Sequence, residues 1–337
     1  MSLVVKKIIL MNNFVILFFI HVLVNCIILY FFDYLKNKIN IYDIPDHNRK
    51  IHDKPTPLMG GWIFLFNMII YFIITKESML SLEVSIFICS LFFLFIGVVD
   101  DKKNLSSYFK FFWLIIALLI FFNFSENMII NEIRIYNYVI NLQSEVVIYF
   151  SVLCILLFVN ALNLFDGINL QSGLYALYLL LFLLHKGTFA EIIFVLIISL
   201  LLIIYLNSKN KIFMGDGGTL FLGCIISLII IANYNEGKTL EVDEIFLLMI
   251  LPGVDMLRLF LQRIFSGQNP FVGDRQHLHH YLLGHYGYKF SIFFITVLSI
   301  MPSLLNFFIS SKLIIVIFLI FYLVVLIFVK KKNYKTS

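Results

Sequence analysis

Long apolar runs separated by short polar gaps dominate the chain. With about 20 mostly apolar residues as the length of a membrane-crossing helix, the pattern predicts spans near 10–32, 59–75, 80–99, 108–122, 146–164, 172–186, 190–206, 218–233, 244–263, 289–309 and 312–330. That makes eleven helices, or ten if one of the shorter runs with polar ends does not cross. The runs are continuous rather than alternating, which suits helices and not the period-two strands of an outer-membrane barrel. The longest polar connection is roughly 25 residues, so residues 1–337 read as one polytopic membrane domain with no soluble domain attached. No internal repeat of the transporter kind is visible. Lys6 and Lys7 precede the first apolar run as in a secretory leader. No small-residue cleavage site follows, however, and the run continues to Phe32, so a retained first helix is expected.

Composition agrees and narrows the class. Hydrophobic residues are 61% of the chain and charged residues 13%, against about a quarter charged in soluble domains. A soluble globule and a disordered chain are both excluded. The expected fold is an all-α integral membrane protein, a polytopic bundle of about 10–11 transmembrane helices. Cys26, Cys89, Cys154 and Cys224 each stand alone inside an apolar run, which points to packing rather than to a metal or disulfide.

Charge placement orients the bundle. With eleven helices, 18 of the Lys and Arg residues fall in gaps on one side and 7 on the other. The positive-inside rule makes the richer side cytoplasmic, with Lys6 and Lys7 as the local exception. The same side collects almost every unusual polar cluster: residues 43–61, 100–106, 160–169, 207–218 and 266–282. An acid at the centre of a membrane helix costs about 2.5–3.5 kcal/mol, less near an end, and five clusters gathered on one face argue against solvated helix ends as the explanation. The other face holds short gaps and a stretch at 123–145 that reads as a small hairpin without evident chemistry.

Asp100 and Asp101 are adjacent carboxylates at a helix end, and their repulsion calls for a cation or a raised pKa. Mg²⁺ with substrate phosphates suits such a pair, and Asn104 would lie one turn beyond if the helix continued. Asn160, Asn163 and Asp166 recur every three residues and share one stripe of a helix. Such a stripe holds a sugar, a base or a metal, or else makes interhelical hydrogen bonds. In MGDGG, residues 214–218, Asp216 lies beside glycines that allow close backbone approach, at a helix N-terminus that favours anions. Phe213 is placed to stack on a base. Arg275, His277, His279 and His280 suit oxyanion binding better than zinc, because Arg presents a planar fork matched to phosphate and the histidine spacing is too tight for a zinc site. Asp255 and Arg258 read as a structural ion pair within a helix, and His21 and His185 as isolated residues without assigned function.

Together these clusters resemble the polyprenyl-phosphate N-acetylhexosamine-1-phosphate transferase family (WecA/TagO/MraY-like), which starts lipid-linked glycan synthesis. The resemblance rests on five ordered motifs within residues 43–282: the stretch from Asp43 to Gly61, DDKKNLS, NALNLFDG, MGDGG and HLHH. It implies transfer of N-acetylhexosamine 1-phosphate, GlcNAc 1-phosphate first, from a UDP-sugar to polyprenyl (undecaprenyl) phosphate. The products would be a polyprenyl-pyrophosphate sugar and UMP, for cell-envelope polysaccharide. It further implies Mg²⁺, with Mn²⁺ as the alternative ion, held by Asp216 with Asn163 close by. Asp100 and Asp101 become catalytic acids acting on the polyprenyl phosphate, by direct attack or in two steps. Asn160 and Asp166 become contacts to nucleotide or sugar, Phe213 a platform for uracil, and Arg275, His277, His279 and His280 binders of pyrophosphate and sugar. Lys54, with Arg49 and His52, supports the phosphate site. The implied location is the inner or plasma membrane with the site on the cytoplasmic face. Partners are the UDP-sugar donor, the polyprenyl phosphate and the bilayer; nucleic acid is not among them, and a homodimer is allowed.

The HLHH form resembles the WecA/TagO branch rather than the branch that moves a peptide-bearing sugar. One departure stands out: the family pattern DGxDG reads DGINL here, with Asn169 and Leu170 in place of the second acid and glycine. That removes a charge near the donor and makes a dideoxy or epimeric N-acetylhexosamine an alternative donor. From another class, a transporter or flippase for an anionic or lipid-linked substrate would also explain many helices. It would place polar residues in mid-span and at both faces.

Overall fold

The computed structural model describes residues 3–45, 54–76, 81–136, 138–237, 240–270 and 276–333. Among these the chain forms helices α1 (Leu3–Tyr30), α2 (Phe32–Ile39), α3 (Gly60–Thr75), α4 (Leu82–Lys103), α5 (Ser107–Phe124), α6 (Val147–Leu164), α7 (Gln171–Lys186), α8 (Ala190–Ser208), α9 (Gly215–Ala232), α10 (Val242–Phe265), α11 (Leu278–Leu305) and α12 (Ser311–Asn333). Each of the eleven expected apolar segments is a helix, and α2 is an addition. Its sequence, FDYLKNKI, is polar on most of its circumference and too short to register as a span. Eight of the described helices are long and apolar enough to cross a membrane by length and composition. The other three of the eleven are α3 and α7, at 16 residues each, and α10, which carries Asp255, Arg258 and Arg263 along its length. The chain is a multi-pass membrane protein.

Local signals set the helix ends. Ser81 and Ser106 accept backbone N–H bonds from Val84 and Phe109, both at 3.3 Å, and so start α4 and α5. Asn40, Lys76 and Asn104 end α2, α3 and α4 in the left-handed conformation, with φ of 51°, 51° and 49°. Asn104 therefore closes α4 rather than continuing it. Helix α11 begins eleven residues before the expected span and breaks at Gly287, where φ is 73° and ψ 175°. The break lets a short amphipathic segment carrying the histidine motif precede the apolar one.

Helix α9 is the axis of the bundle. Every residue from Gly217 to Ala232 is buried, and α3, α4, α6 and α7 wall it in. The close approach of α4 depends on Gly97, where an added Cβ would come within 2.5 Å of the Asp216 carbonyl carbon. Midway along α1 and α3, His21 Nδ1 lies 3.0 Å from Asn67 Oδ1, Asn67 donates to Asn25 at 3.0 Å, and Asn25 donates to the Ile198 carbonyl of α8 at 3.0 Å. His21 is therefore not isolated: it is fully buried in an amide network tying three helices together. Bonds of this kind average about 0.6 kcal/mol each in membrane bundles.

One end of the bundle is closed by a two-stranded hairpin, β3 (Glu132–Ile135) and β4 (Tyr138–Asn141), as the 123–145 stretch predicts. Arg134 lies over the Tyr234 ring at 3.9 Å and pairs with Glu132 at 2.6 Å. The other end carries a two-residue ladder, β1 (Tyr42–Asp43) with β2 (Thr56–Pro57), and all the motifs.

Candidate active site at the motif-bearing end

Several helix ends meet here. Asp100 and Asp101 occupy the last turn of α4, so they are helical rather than in a gap. The two carboxylates point to different tasks. Both oxygens of Asp101 accept backbone N–H groups at the start of α9, Asp216 at 2.8 Å and Gly217 at 3.0 Å. Asp101 thus satisfies donors that a helix N-terminus leaves open, and its charge complements the dipole there. Asp100 turns the other way: Oδ1 accepts the Leu105 N–H at 2.7 Å, and Oδ2 pairs with Lys110 at 2.6 Å.

Lys110 is a site residue that sequence reasoning missed. It sits in the first turn of α5, and its ammonium also meets Asp216 Oδ2 at 2.9 Å. One cation thereby bridges two carboxylates from α4 and α9. In the sequence it is one basic residue among many near a helix end, and only the fold brings it between acids 10 and 106 positions away. Asn163, on the last turn of α6, donates to Asp216 Oδ1 at 3.0 Å and to Thr219 at 2.7 Å. Among the described residues Asp100 and Asp216 thus share one ammonium, while the third acid, Asp101, is tied to the N-terminus of α9.

The expected stripe is broken. Helix α6 stops at Leu164, so Asp166 lies in the following turn while Asn160 stays inside, donating to Met256 Sδ at 3.3 Å. Asp166 accepts from the Ser172 hydroxyl. Burial pushes its carboxyl up to about 6 and the negative charge of Asp216 adds to the rise, while the Ser172 hydrogen bond opposes it. Asn169 takes part in an amide network with Asn207 and Asn210, and Leu170 holds φ of 70°, a left-handed conformation that glycine adopts freely and leucine does not.

Phe213 is locked by its backbone: its N–H donates to the Pro57 carbonyl at 3.0 Å, and its own carbonyl accepts from Met59 at 3.2 Å. The residue is half-buried and directly precedes the MGDGG turn. His277 gives its Nδ1 to Asp255 Oδ2 at 2.8 Å. Asp255 also receives Arg258 at 2.8 Å and Tyr322 at 2.6 Å. The pair read as Asp255 with Arg258 is thus a four-residue brace that seats the histidine motif against α10 and α12. His279 is buried and stacked on His277 with ring centres 5.4 Å apart, and His280 lies 4.2 Å beyond. Lys54 is exposed beside β2. Arg49, His52 and Arg275 lie outside the described residues.

Among the described residues, no three His, Cys, Asp or Glu side chains form a metal-holding group. A divalent ion bound by one or two carboxylates and completed by phosphates and water needs fewer protein ligands. Asp100 and Asp216 already share one cation, the Lys110 ammonium, so this oxygen pair fits such an ion. Asn163 presents its amide nitrogen to Asp216, which makes it a hydrogen-bond donor to that acid in this arrangement.

The family profile described as Glycosyl transferase family 4 matches residues 83–233, from α4 to the end of α9. The chain is 30% identical over 263 residues to a probable undecaprenyl-phosphate N-acetylglucosaminyl 1-phosphate transferase of Bacillus subtilis (strain 168), covering 73% of this chain and 70% of that protein. It is 27% identical over 262 residues to the undecaprenyl-phosphate alpha-N-acetylglucosaminyl 1-phosphate transferase of Yersinia pestis, at the same coverage. The Escherichia coli (strain K12) protein of that name is 26% identical over 265 residues.

Proposed function

The chain belongs to the polyprenyl-phosphate N-acetylhexosamine-1-phosphate transferase family, and from that premise we propose that it moves GlcNAc 1-phosphate from UDP-GlcNAc onto undecaprenyl phosphate. In this reading an oxygen of the lipid phosphate attacks the sugar-bearing phosphorus of the donor. The bond from that phosphorus to the bridging oxygen breaks, and UMP leaves. The product is undecaprenyl-pyrophosphate GlcNAc, the start of a cell-envelope polysaccharide.

The observation that carries the reading is Lys110 held between Asp100 and Asp216. Phosphoryl transfer mostly needs positioning and charge neutralisation, and this trio supplies both signs where the ends of α4, α5 and α9 meet. Asp100 and Lys110 orient the acceptor phosphate, with Asp100 taking any proton it carries. Asp101 acts one step back, fixing the first turn of α9 and so the direction of Asp216. Mg²⁺ would be held by Asp216, with Asn163 steadying that carboxylate, and would neutralise the donor diphosphate. Phe213 carries the uracil ring, Asp166 and Asn160 face the nucleotide sugar, and His280 with Arg275 takes the pyrophosphate. The excess of basic residues supports a cytoplasmic position for this end in the inner or plasma membrane.

Purified protein with UDP-GlcNAc, undecaprenyl phosphate and Mg²⁺ is expected to release UMP, to stop with EDTA and to resume with added Mg²⁺. A panel of UDP-sugars ranks the donors. Release of UMP from none of them, with labelled lipid or solute crossing vesicles instead, would overturn the reading.

A further inference from the structure

Beneath the histidine motif lies a contact that the reaction described above does not use. Gln171, the first residue of α7, is 1% exposed, and His279 is 3% exposed. Gln171 Nε2 is 3.5 Å from His279 Nδ1. The imidazole is wedged against the turn after α6: a Cβ at Gly167 would lie 1.9 Å from His279 Nε2, so only glycine admits the ring. Its flat side is held by His277, parallel within 6° and itself fixed by Asp255. Two buried polar atoms of this cluster, His279 Nε2 and Gln171 Oε1, have no hydrogen-bond partner among the described residues. Both residues, with Asp255, line a cavity between α7, α10 and α11.

We propose that Gln171 is a positioning residue: acting through His279, it sets the Asp166–Gly167 turn for the nucleotide-sugar donor. The proposal rests on the transferase reading. The turned-over amide would accept from Nδ1–H, so the ring tautomer reports which face of the amide meets it; with the carboxamide nitrogen as the donor, Nδ1 carries the lone pair and the ring is neutral with its proton on Nε2. That orientation holds the ring in the Gly167 notch. The ring in turn fixes the turn that carries Asp166, one residue before the notch. A buried amide at position 171, next to Asn169 and Leu170, gives this chain a donor turn held by neutral amides where the family pattern has a second acid.

The test uses the full chain with ¹⁵N-labelled histidine, in the wild type and in Gln171→Leu and Gln171→Glu. The His279 ring signals are identified by their loss in His279→Gln. The wild type is expected to show the Nε2–H form. In Gln171→Glu, nearly unchanged in shape, a carboxylate faces the ring and the proton moves to Nδ1. The KM for UDP-GlcNAc is expected to rise about tenfold in both variants, with the undecaprenyl phosphate KM and kcat within about twofold. An unaltered ring signal in Gln171→Glu overturns the contact. Donor and acceptor KM values that move together with a fall in Tm overturn the positioning role and leave a packing one. If the wild type releases no UMP from any UDP-sugar, the transferase reading fails, whereas the ring signals still decide the Gln171–His279 contact.

Discussion

The two ends of the bundle use similar residues to opposite effect. At the hairpin end two bases each meet one acid: Arg134 pairs with Glu132 and lies over the Tyr234 ring, and Lys186 meets Glu244 at 3.2 Å. At the motif end one ammonium is shared by two carboxylates, with a third acid alongside. The first arrangement is a set of one-to-one pairs that fastens the hairpin. The second gathers three acids from two helices around one base, a grouping that a cation, a proton or a metal-bridged ligand relieves. Polar residues occur at both ends; the clustering of like charges is what separates them.

The sharpest way to break this contrast is to remove the shared charges. Asp216→Ala and Asp100→Ala are expected to abolish UMP release, and Lys110→Met to lower kcat by on the order of 10²–10³, in protein that still elutes as a folded species. Retained activity in any one would remove that residue's role. Next in size is pH. The Asp166 carboxyl titrates near 6, so it is ionised at pH 7 and protonates as pH falls through about 6. Donor KM is expected to rise below that point in the wild type, and Asp166→Asn is expected to flatten the profile with KM raised about tenfold throughout. The sign for stability is opposite. Because the folded value is above the ordinary one, the proton favours the fold, and stability is lost as pH rises from about 4 to 6.

Asp101 separates the two acids of the pair. Asp101→Asn keeps its shape but removes charge from the start of α9, and Asp101→Ala also opens two backbone donors; the Ala variant is expected to lose about 1–2 kcal/mol of stability, read as a lower Tm. Equal behaviour of Asp100→Ala and Asp101→Ala in Tm would erase the division of labour between them. Leu170→Gly is expected to raise Tm by the equivalent of about 1 kcal/mol, by relieving the left-handed backbone. The smallest effect belongs to the hairpin end: Arg134→Met is expected to change stability by about 1 kcal/mol or less and leave UMP release within about twofold.

Much of this was legible in advance. The apolar runs placed eleven helices, and the five clusters fell at one end because acids at mid-membrane are costly. Asp100, Asp216 and Asn163 do converge. The failures have separate causes. The Asp255–Arg258 pair was read from its spacing and forms at 2.8 Å, but Lys110 and Gln171 act through partners 10 to 108 positions away, and spacing carries no information about such contacts. The Asn160–Asp166 stripe assumed that the helix ran on, whereas α6 stops at Leu164. The start of α11 was missed because YLLGHYGYK is too polar to pass as a span, and Gly287 lets it fold as a separate helical segment.

The central place of α9 bears on how the protein is made. Its walls, α3, α4, α6 and α7, all precede it in the chain, so when α9 leaves the ribosome its slot has already been synthesised. The slot is narrow at Gly97 and ends at the Asp101 carboxylate, which receives the incoming helix by the N–H groups of Asp216 and Gly217 in its first turn. Insertion of α9 is therefore also the moment at which the acidic site is completed, and no earlier nascent chain holds Asp216 beside Lys110. The buried thiols of Cys89 on α4 and Cys224 on α9, 3.9 Å apart, lie where they would register that docking.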